Sequence, residues 1–148
     1  MFRKILMGMG LITTVLVSGC ASVPMAPKEA DAALKTFPAP TADKAALYVY
    51  RNSFVGQALK KTVTLDGVVI GETANKVYFY KEITPGEHTL ATESEFSDNA
   101  VTFHAAPGQT YFAEQYIKMG VFVGGAGIRI VDGEVGKKGI AECSLAKQ

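Results

Sequence analysis

The feature that most constrains this chain is a series of short runs rich in β-branched and aromatic residues between residues 46 and 131. Turn-forming dipeptides separate several of the runs: Asp66-Gly67, Pro85-Gly86 and Pro107-Gly108. Short runs with closely spaced turns predict an antiparallel β-sandwich of about seven to eight short strands. The predicted strands are 46–50, 62–65, 68–70, 77–80, 88–92, 100–105, 110–117 and 127–131. The long spacing of a βαβ unit does not occur in the sequence, so a parallel sheet is not expected.

Short helices are expected on both sides of the strands. Residues 20–42 contain four of the six prolines and are interpreted as a tether, with a helix of about two turns over residues 28–35. A second short helix is predicted from Asp132, a suitable N-cap, to about Leu145, and its three glycines weaken it. The remaining residues, 43–148, form the predicted sandwich domain.

The first 19 residues have the pattern of a bacterial lipoprotein signal peptide. Arg3 and Lys4 precede an apolar run over residues 5–17 that is too short to span a bilayer, which needs about 20 residues. Residues 16–20, Leu-Val-Ser-Gly-Cys, resemble the bacterial lipobox. The resemblance implies diacylglycerol on the sulfur of Cys20, cleavage before it, and a membrane anchor at the new N-terminus.

The residues after Cys20 indicate which membrane carries the lipid anchor. Ala21 and Ser22 stand where the inner-membrane retention pattern has aspartate, so the sorting rule favours the outer membrane, with the domain facing the periplasm.

Without Arg3 and Lys4 the chain has 13 basic and 14 acidic residues. That balance gives no electrostatic basis for binding nucleic acid.

The sequence contains no recognisable catalytic or metal-binding set. With Cys20 lipidated, Cys143 has no partner for a disulfide and is interpreted as a half-buried small apolar residue. A Ser-His-Asp set from His88 or His104 with Ser94 or Ser97 and Asp98 lacks a nucleophile-elbow motif. We therefore expect no metal, no cofactor and no enzymatic activity, with His104 solvated on the polar face of its strand.

The most unusual stretch is the glycine-rich segment over residues 120–127. It lacks the Lys-Ser/Thr pair of a phosphate-binding loop and precedes a strand rather than a helix. One interpretation is a hairpin or bulge in which glycine supplies positive φ. The functional interpretation is an interaction loop whose apolar side chains contact a partner or a bilayer: Met119, Val121, Phe122 and Val123.

Two further sets of residues leave alternatives open. Arg51 and Glu114 are expected to be half-buried charges within strands, and they could pair with each other. The tyrosines are interpreted mainly as sheet packing, with an aromatic ligand-binding face as the alternative: Tyr48, Tyr50, Tyr78, Tyr80, Tyr111 and Tyr116.

The strand and turn patterns together resemble a bacterial lipoprotein family, the domain of unknown function 2846, over about residues 43–132. The resemblance lies in residues 45–51, 65–67, 70–71, 84–90 and 107–112. It implies a lipoprotein with a β-sandwich and supplies no catalytic residues. The sequence thus favours a lipid-anchored envelope protein that acts as a non-enzymatic interaction or structural module. The alternative is a module that binds a small glycan or lipid.

Overall fold

A computed structural model describes residues 21–94, 99–122 and 124–148. The predicted signal peptide, Cys20, Val123 and the Ser97 and Asp98 of the hypothetical triad lie outside the described residues. The described chain forms two short helices and nine strands. They are α1 (Lys28–Leu34), β1 (Ala45–Arg51), β2 (Lys61–Leu65), β3 (Val68–Thr73), β4 (Val77–Ile83), β5 (Gly86–Thr92), β6 (Asn99–Ala105), β7 (Thr110–Lys118), β8 (Gly125–Val131), α2 (Gly133–Ala141) and β9 (Ser144–Leu145).

The strands form two sheets, which confirms the predicted mainly β sandwich. The five-stranded sheet has the order β8-β7-β1-β4-β9, and the four-stranded sheet has the order β3-β2-β5-β6. Most neighbours are antiparallel, but β1 pairs with β7 in parallel, and so does β4 with β9. The purely antiparallel sandwich expected from the sequence is therefore corrected to a mixed one. The crossover from β1 to β7 runs through the whole four-stranded sheet, so it needs no helix between the two parallel strands.

The inner faces of the two sheets enclose the main core. Strict alternation on β5 directs His88, Leu90 and Thr92 inward and leaves Glu87 exposed, as expected for a strand with one buried face. The core is filled by aliphatic and aromatic side chains of both sheets, including Leu47, Val49, Val63, Phe79, Leu90, Phe103 and Ile128. Burying such side chains stabilises the fold by about 1.5–3 kcal/mol each.

A second core covers the outer face of the five-stranded sheet. Tyr48, Tyr50 and Tyr78 are buried there with Phe112 and Ile140. Both helices contribute to this layer. The Asp132 carboxylate caps α2 by accepting from the Val135 amide at 2.9 Å, as predicted, and α2 ends at Ala141, earlier than expected, because the chain then enters β9.

The described part of the predicted tether is a layer of the folded domain. Met25 forms an isolated bridge with Ala146, and the Ala26 amide donates to the Leu145 carbonyl at 2.9 Å. The predicted helix α1 is present, and the hydroxyl of Tyr48 donates to its Leu34 carbonyl at 3.0 Å. These contacts hold residues 21–37 against the five-stranded sheet and its edge.

Candidate interaction surface

Among the described residues, the largest exposed apolar side chains lie together at one end of the sandwich. At this end β1 and β7 finish and β2 and β8 begin, so the β1–β2 loop (52–60) and the described residues of the β7–β8 loop (119–122 and 124) lie side by side. Phe54, Met119 and Phe122 are 80, 87 and 86% exposed. We call the following set the apolar loop end: Phe54, Val55, Met119, Val121 and Phe122.

Close contacts between the two loops hold the apolar loop end in place. Gly56 has φ +69°, and a Cβ there would lie 2.8 Å from the Ile117 side chain. A Cβ on Gly124 would lie 2.5 Å from the Leu59 side chain. Because glycine has no Cβ, Ile117 and Leu59 fill these spaces and pack the two loops together. The β7–β8 connection is the predicted hairpin, but the prediction that glycine supplies positive φ in it is wrong for Gly124 and Gly127, since neither has a positive φ.

The chain enters the described structure at the same end. The Ala21 amide donates to the Gln57 carbonyl of the β1–β2 loop at 3.2 Å. Ala21 and Val23 are partly buried and pack against the main core. The residue that follows Cys20 is therefore fixed to the loop that carries Phe54 and Val55.

Arg51 supports the β1–β2 loop from inside the sandwich. Its side chain is fully buried, and Nη2 donates to the Leu59 carbonyl at 2.6 Å. Within the described residues, its Nε and Nη1 have no hydrogen-bond partner, and burial lowers the pKa of this guanidinium. The predicted pair of Arg51 with Glu114 is wrong. Successive residues of a strand face opposite sides of the sheet, and Arg51 faces the inside of the sandwich. Glu114 lies on the outer face, where its carboxylate is 2.5 Å from Nη2 of Arg129.

A polar cluster joins the two sheets below this loop. The Gln115 side chain is fully buried, and its Nε2 donates to the Thr92 hydroxyl at 2.6 Å. The Thr92 hydroxyl donates onward to the Thr62 carbonyl at 2.9 Å, and the Thr73 hydroxyl contacts Gln115 Oε1. Sequence reasoning missed this cluster, because a glutamine in a strand gives no sign of which face is buried.

Both histidines bind carboxylates within the four-stranded sheet. His88 is buried, with Nδ1 2.6 Å from Asp66 and Nε2 2.6 Å from the Thr84 carbonyl. His104 is exposed, as predicted, and its Nδ1 lies 2.8 Å from Glu87. Both ring nitrogens of His88 are thus engaged in holding the β2–β3 and β4–β5 turns. Within the described residues no group of His, Cys, Asp or Glu is arranged to hold a metal ion.

Three of the tyrosines are packing residues of the second core. Tyr48 and Tyr78 are fully buried, and Tyr50 is 2% exposed. Burial raises the pKa of Tyr48 to about 12, and the Tyr78 hydroxyl donates to the Asp31 carbonyl at 3.3 Å. These rings lie beneath the helices, so they do not form the aromatic ligand face that was the alternative interpretation.

Cys143 lies in the same core and is more buried than predicted, at 2% exposure. Its sulfur lies 3.6 Å from the Arg51 carbonyl. Burial raises the pKa of the thiol to about 12, so the nucleophilic thiolate is scarce near neutral pH.

The surface cavities are of modest size for a small ligand. One of about 370 Å³ lies between α2 and the start of β7, lined by Phe37, Phe112, Gly133 and Lys137 among others. The Lys137 ammonium lies 5.8 Å from the centre of the Phe37 ring, within the range of a cation–π contact. This cavity is open to solvent and lies on the covered side of the five-stranded sheet.

Comparisons with known proteins match most of the region that forms the strands to one family. Residues 41–126, from just before β1 into β8, match the family described as "Protein of unknown function (DUF2846)". The chain belongs to the DUF2846 family. It is also 47% identical over 132 residues to an uncharacterized protein of Haemophilus influenzae, covering 89% of this chain and 79% of the relative. The family membership predicted from the sequence is therefore confirmed.

The residues that match the DUF2846 family include those of the apolar loop end. The matched range contains both loops, including Phe54 and Val55, which sequence reasoning missed. Their signal was present, since two large apolar residues next to Gly56 repeat the pattern noted at Met119 to Val123. In the part of the chain that the structure describes, neither helix is long and apolar enough to cross a bilayer.

Proposed function

We propose that this DUF2846 protein is a lipid-anchored protein of the bacterial envelope, held on the outer membrane by Cys20 and facing the periplasm. It acts by contact with another envelope protein or as a structural element, not by catalysis. The observation that carries the proposal is the bond between Ala21 and Gln57. It fixes the residue next to Cys20 beside the apolar loop end.

The chemistry of the two cysteines supports lipidation at Cys20. Cys143 is buried in the second core with a pKa raised to about 12 by burial. Cys20 ends the lipobox-like sequence and directly precedes Ala21. Two or three acyl chains on one residue would hold the domain on a membrane essentially permanently, whereas one chain binds only marginally.

The environment of the histidines supports a non-enzymatic role. A general base needs a ring nitrogen directed at a substrate, whereas both nitrogens of His88 are bound to Asp66 and Thr84. His104 lies on an exposed strand face beside Glu87 rather than in a cleft. These pairs are the kind that stabilise turns and strand registers.

The lipid anchor is tested by producing the full chain in a Gram-negative bacterium fed radioactive palmitate. We expect the wild type to incorporate label, to reach an intact mass consistent with an acylated Cys20, and to need detergent for extraction. Cys20→Ala should lose the label and the acylated mass, while the matched control Cys143→Ala should keep all three properties. Equal labelling of wild type and Cys20→Ala would overturn the anchor.

The contact role is tested by in-cell photo-crosslinking from two exposed positions. One photoreactive residue replaces Phe122 at the apolar loop end, and another replaces Thr102 on the exposed outer face of β6. A discrete protein adduct from Thr102 in the wild type that is lost with Cys20→Ala supports an envelope partner. The contact role would be contradicted if Thr102 cross-linked the same protein at equal yield in the wild type and in Cys20→Ala. It would also be contradicted if neither position gave an adduct.

The second candidate, a module for a small glycan or lipid, has the cavity beside Lys137 as its best location. It predicts a ligand of low mass that co-purifies with the wild type and is lost with Lys137→Ala. Native mass spectrometry of the gently extracted protein distinguishes the two proposals, because a packed interaction module carries no such ligand.

A further inference from the structure

We propose that the apolar loop end inserts into the surface of the bilayer that carries the lipid anchor, so that the domain stands on the membrane in one fixed orientation. The occupant of this surface is lipid, and the contact is made by Phe54 and Val55 from one loop and Met119, Val121 and Phe122 from the other. The inference rests on the proposed acylation of Cys20.

The first step is the short distance between the anchor and the loops. Consecutive Cα atoms are about 3.8 Å apart, so Cys20 lies within one residue of Ala21, whose amide binds Gln57. Acyl chains on Cys20 enter the bilayer where that residue lies. The β1–β2 loop must therefore lie at the membrane surface.

The second step is that residues 21–26 do not allow the domain to move away from its anchor. Ala21 and Val23 pack against the main core. The Lys147 amide donates to the Pro24 carbonyl at 2.9 Å, and the Ala26 amide donates to Leu145 at 2.9 Å. A domain attached through a bound segment has one end turned to the membrane, whereas a domain on a flexible linker samples all orientations.

The third step is the distribution of exposed apolar side chains. Among the described residues, five of the nine large hydrophobic side chains that are exposed belong to these two loops. Val55 and Val121 are 50 and 75% exposed, and Phe54, Met119 and Phe122 are at least 80% exposed. Clusters of this kind on a monomer mark contact surfaces, and lipid is the surface that the anchor brings to them.

Val68 and Val69 provide an internal comparison. They are 68 and 61% exposed and begin β3 after the Asp66-Gly67 turn. Strand β3 ends at Thr73, which pairs with Lys61 beside the apolar loop end. Val68 and Val69 begin this strand, so they lie at the opposite end of the sandwich. In the proposed orientation these two valines face away from the bilayer.

The test uses the full acylated protein, reconstituted in vesicles of phosphatidylethanolamine and phosphatidylglycerol. A single environment-sensitive fluorophore is attached through Phe54→Cys, Phe122→Cys or, as the matched control, Val68→Cys. Cys20 is acylated and Cys143 is buried, so neither takes the label. We expect lipids with a quencher near the headgroup to quench the labels at 54 and 122 and to leave the label at 68 unaffected.

A partition measurement provides the second readout. In an unacylated chain without the signal peptide (residues 20–148 with Cys20→Ser), we expect the pair Phe54→Ser and Phe122→Ser to lower binding to the same vesicles at least roughly tenfold. The pair Val68→Ser and Val69→Ser should leave it unchanged. Because all four side chains are exposed, circular dichroism should show that both pairs are folded.

The outcomes separate the two proposals. Intact mass is measured first, and a protein without acyl groups overturns the anchor and with it the present inference. An acylated protein whose labels at 54 and 122 are no more quenched than the label at 68 overturns the bilayer contact alone. A photo-crosslink from Phe122 to one discrete protein in place of lipid would also overturn it, since a protein would then cover the apolar loop end.

Discussion

Nδ1 of His88 lies 2.6 Å from Oδ2 of Asp66, and this contact joins strand β5 to the β2–β3 turn. The other carboxylate oxygen, Oδ1, accepts from the Thr89 amide at 2.8 Å. Asp66 has φ +51°, a conformation that aspartate tolerates better than most residues. The carboxylate therefore holds the turn by binding two neighbouring residues of one strand.

Folding stability should depend on pH through this pair. Burial alone would lower the pKa of His88, but the Thr84 carbonyl and the Asp66 carboxylate bind the charged ring and raise it above 6.5. Burial would likewise raise the pKa of Asp66, but the Thr89 amide and His88 lower it below 3.8. The stabilisation by this pair is therefore fully present between pH 3.8 and pH 6.5, the ordinary pKa values of the two groups. It declines as pH rises through the raised pKa of His88, and it declines as pH falls through the lowered pKa of Asp66.

The measurement is urea unfolding of wild type and His88→Gln at about pH 5.5 and about pH 8.5. We expect the variant to be destabilised by about 1–3 kcal/mol at the lower pH and by less at the higher pH. His104→Gln, at an exposed pair, is the control and should change little at either pH. A deficit for His88→Gln that grows with pH would contradict the assigned protonation.

Gly139 of α2 should be needed for close packing rather than for flexibility. A Cβ on Gly139 would overlap the Tyr50 ring, whereas a Cβ on Gly133 would have nothing within 4 Å. Gly139→Ala should therefore destabilise the protein by about 1–3 kcal/mol through overpacking, although alanine is the better helix former.

Gly133→Ala serves as the matched control in the same helix. It gains helix propensity without a clash, so thermal unfolding should show no loss of stability and a gain of up to about 1 kcal/mol. If both substitutions stabilise the protein alike, α2 does not lie as close to the sheet as described.

The buried amide of Gln115 should contribute substantially to stability. Gln115→Ala removes the donor to Thr92 and leaves a void between the sheets, which we expect to cost about 2–4 kcal/mol in chemical denaturation. Gln109→Ala, on an exposed turn, is the control and should stay within about 0.5 kcal/mol. Near-equal stability of the two variants would show that the cluster does not link the sheets.

Cys143 should be unreactive until the protein unfolds. In a Cys20→Ala background it is the sole thiol, and burial raises its pKa to about 12. We expect a disulfide reagent at mildly alkaline pH to react very slowly with the native protein and at once in concentrated guanidinium chloride. Equal rates in both conditions would mean that the second core opens readily.

The amino-acid sequence by itself determined the local structure of this protein. The alternation of apolar and polar residues along β2 and β6 depends on neighbouring residues alone. The same is true of the turn at Asp66-Gly67 and of the cap at Asp132. These patterns also supported the family membership and the loop at Met119 to Phe122. Eight of the nine strands and both helices were predicted for the same reason, whereas β9 was missed because its residues were predicted as the end of α2.

Only the tertiary structure decided which distant segments meet. The parallel pairing of β1 with β7, the choice of Arg129 over Arg51 as the partner of Glu114, and the cover of α1 and α2 over Tyr48 and Tyr50 are set by packing between segments far apart in sequence. The same packing brings the loop of Phe54 beside the loop of Phe122 and fixes Ala21 to the first of them. Local patterns do not carry this information, because a strand's neighbours are selected by the fit of whole faces.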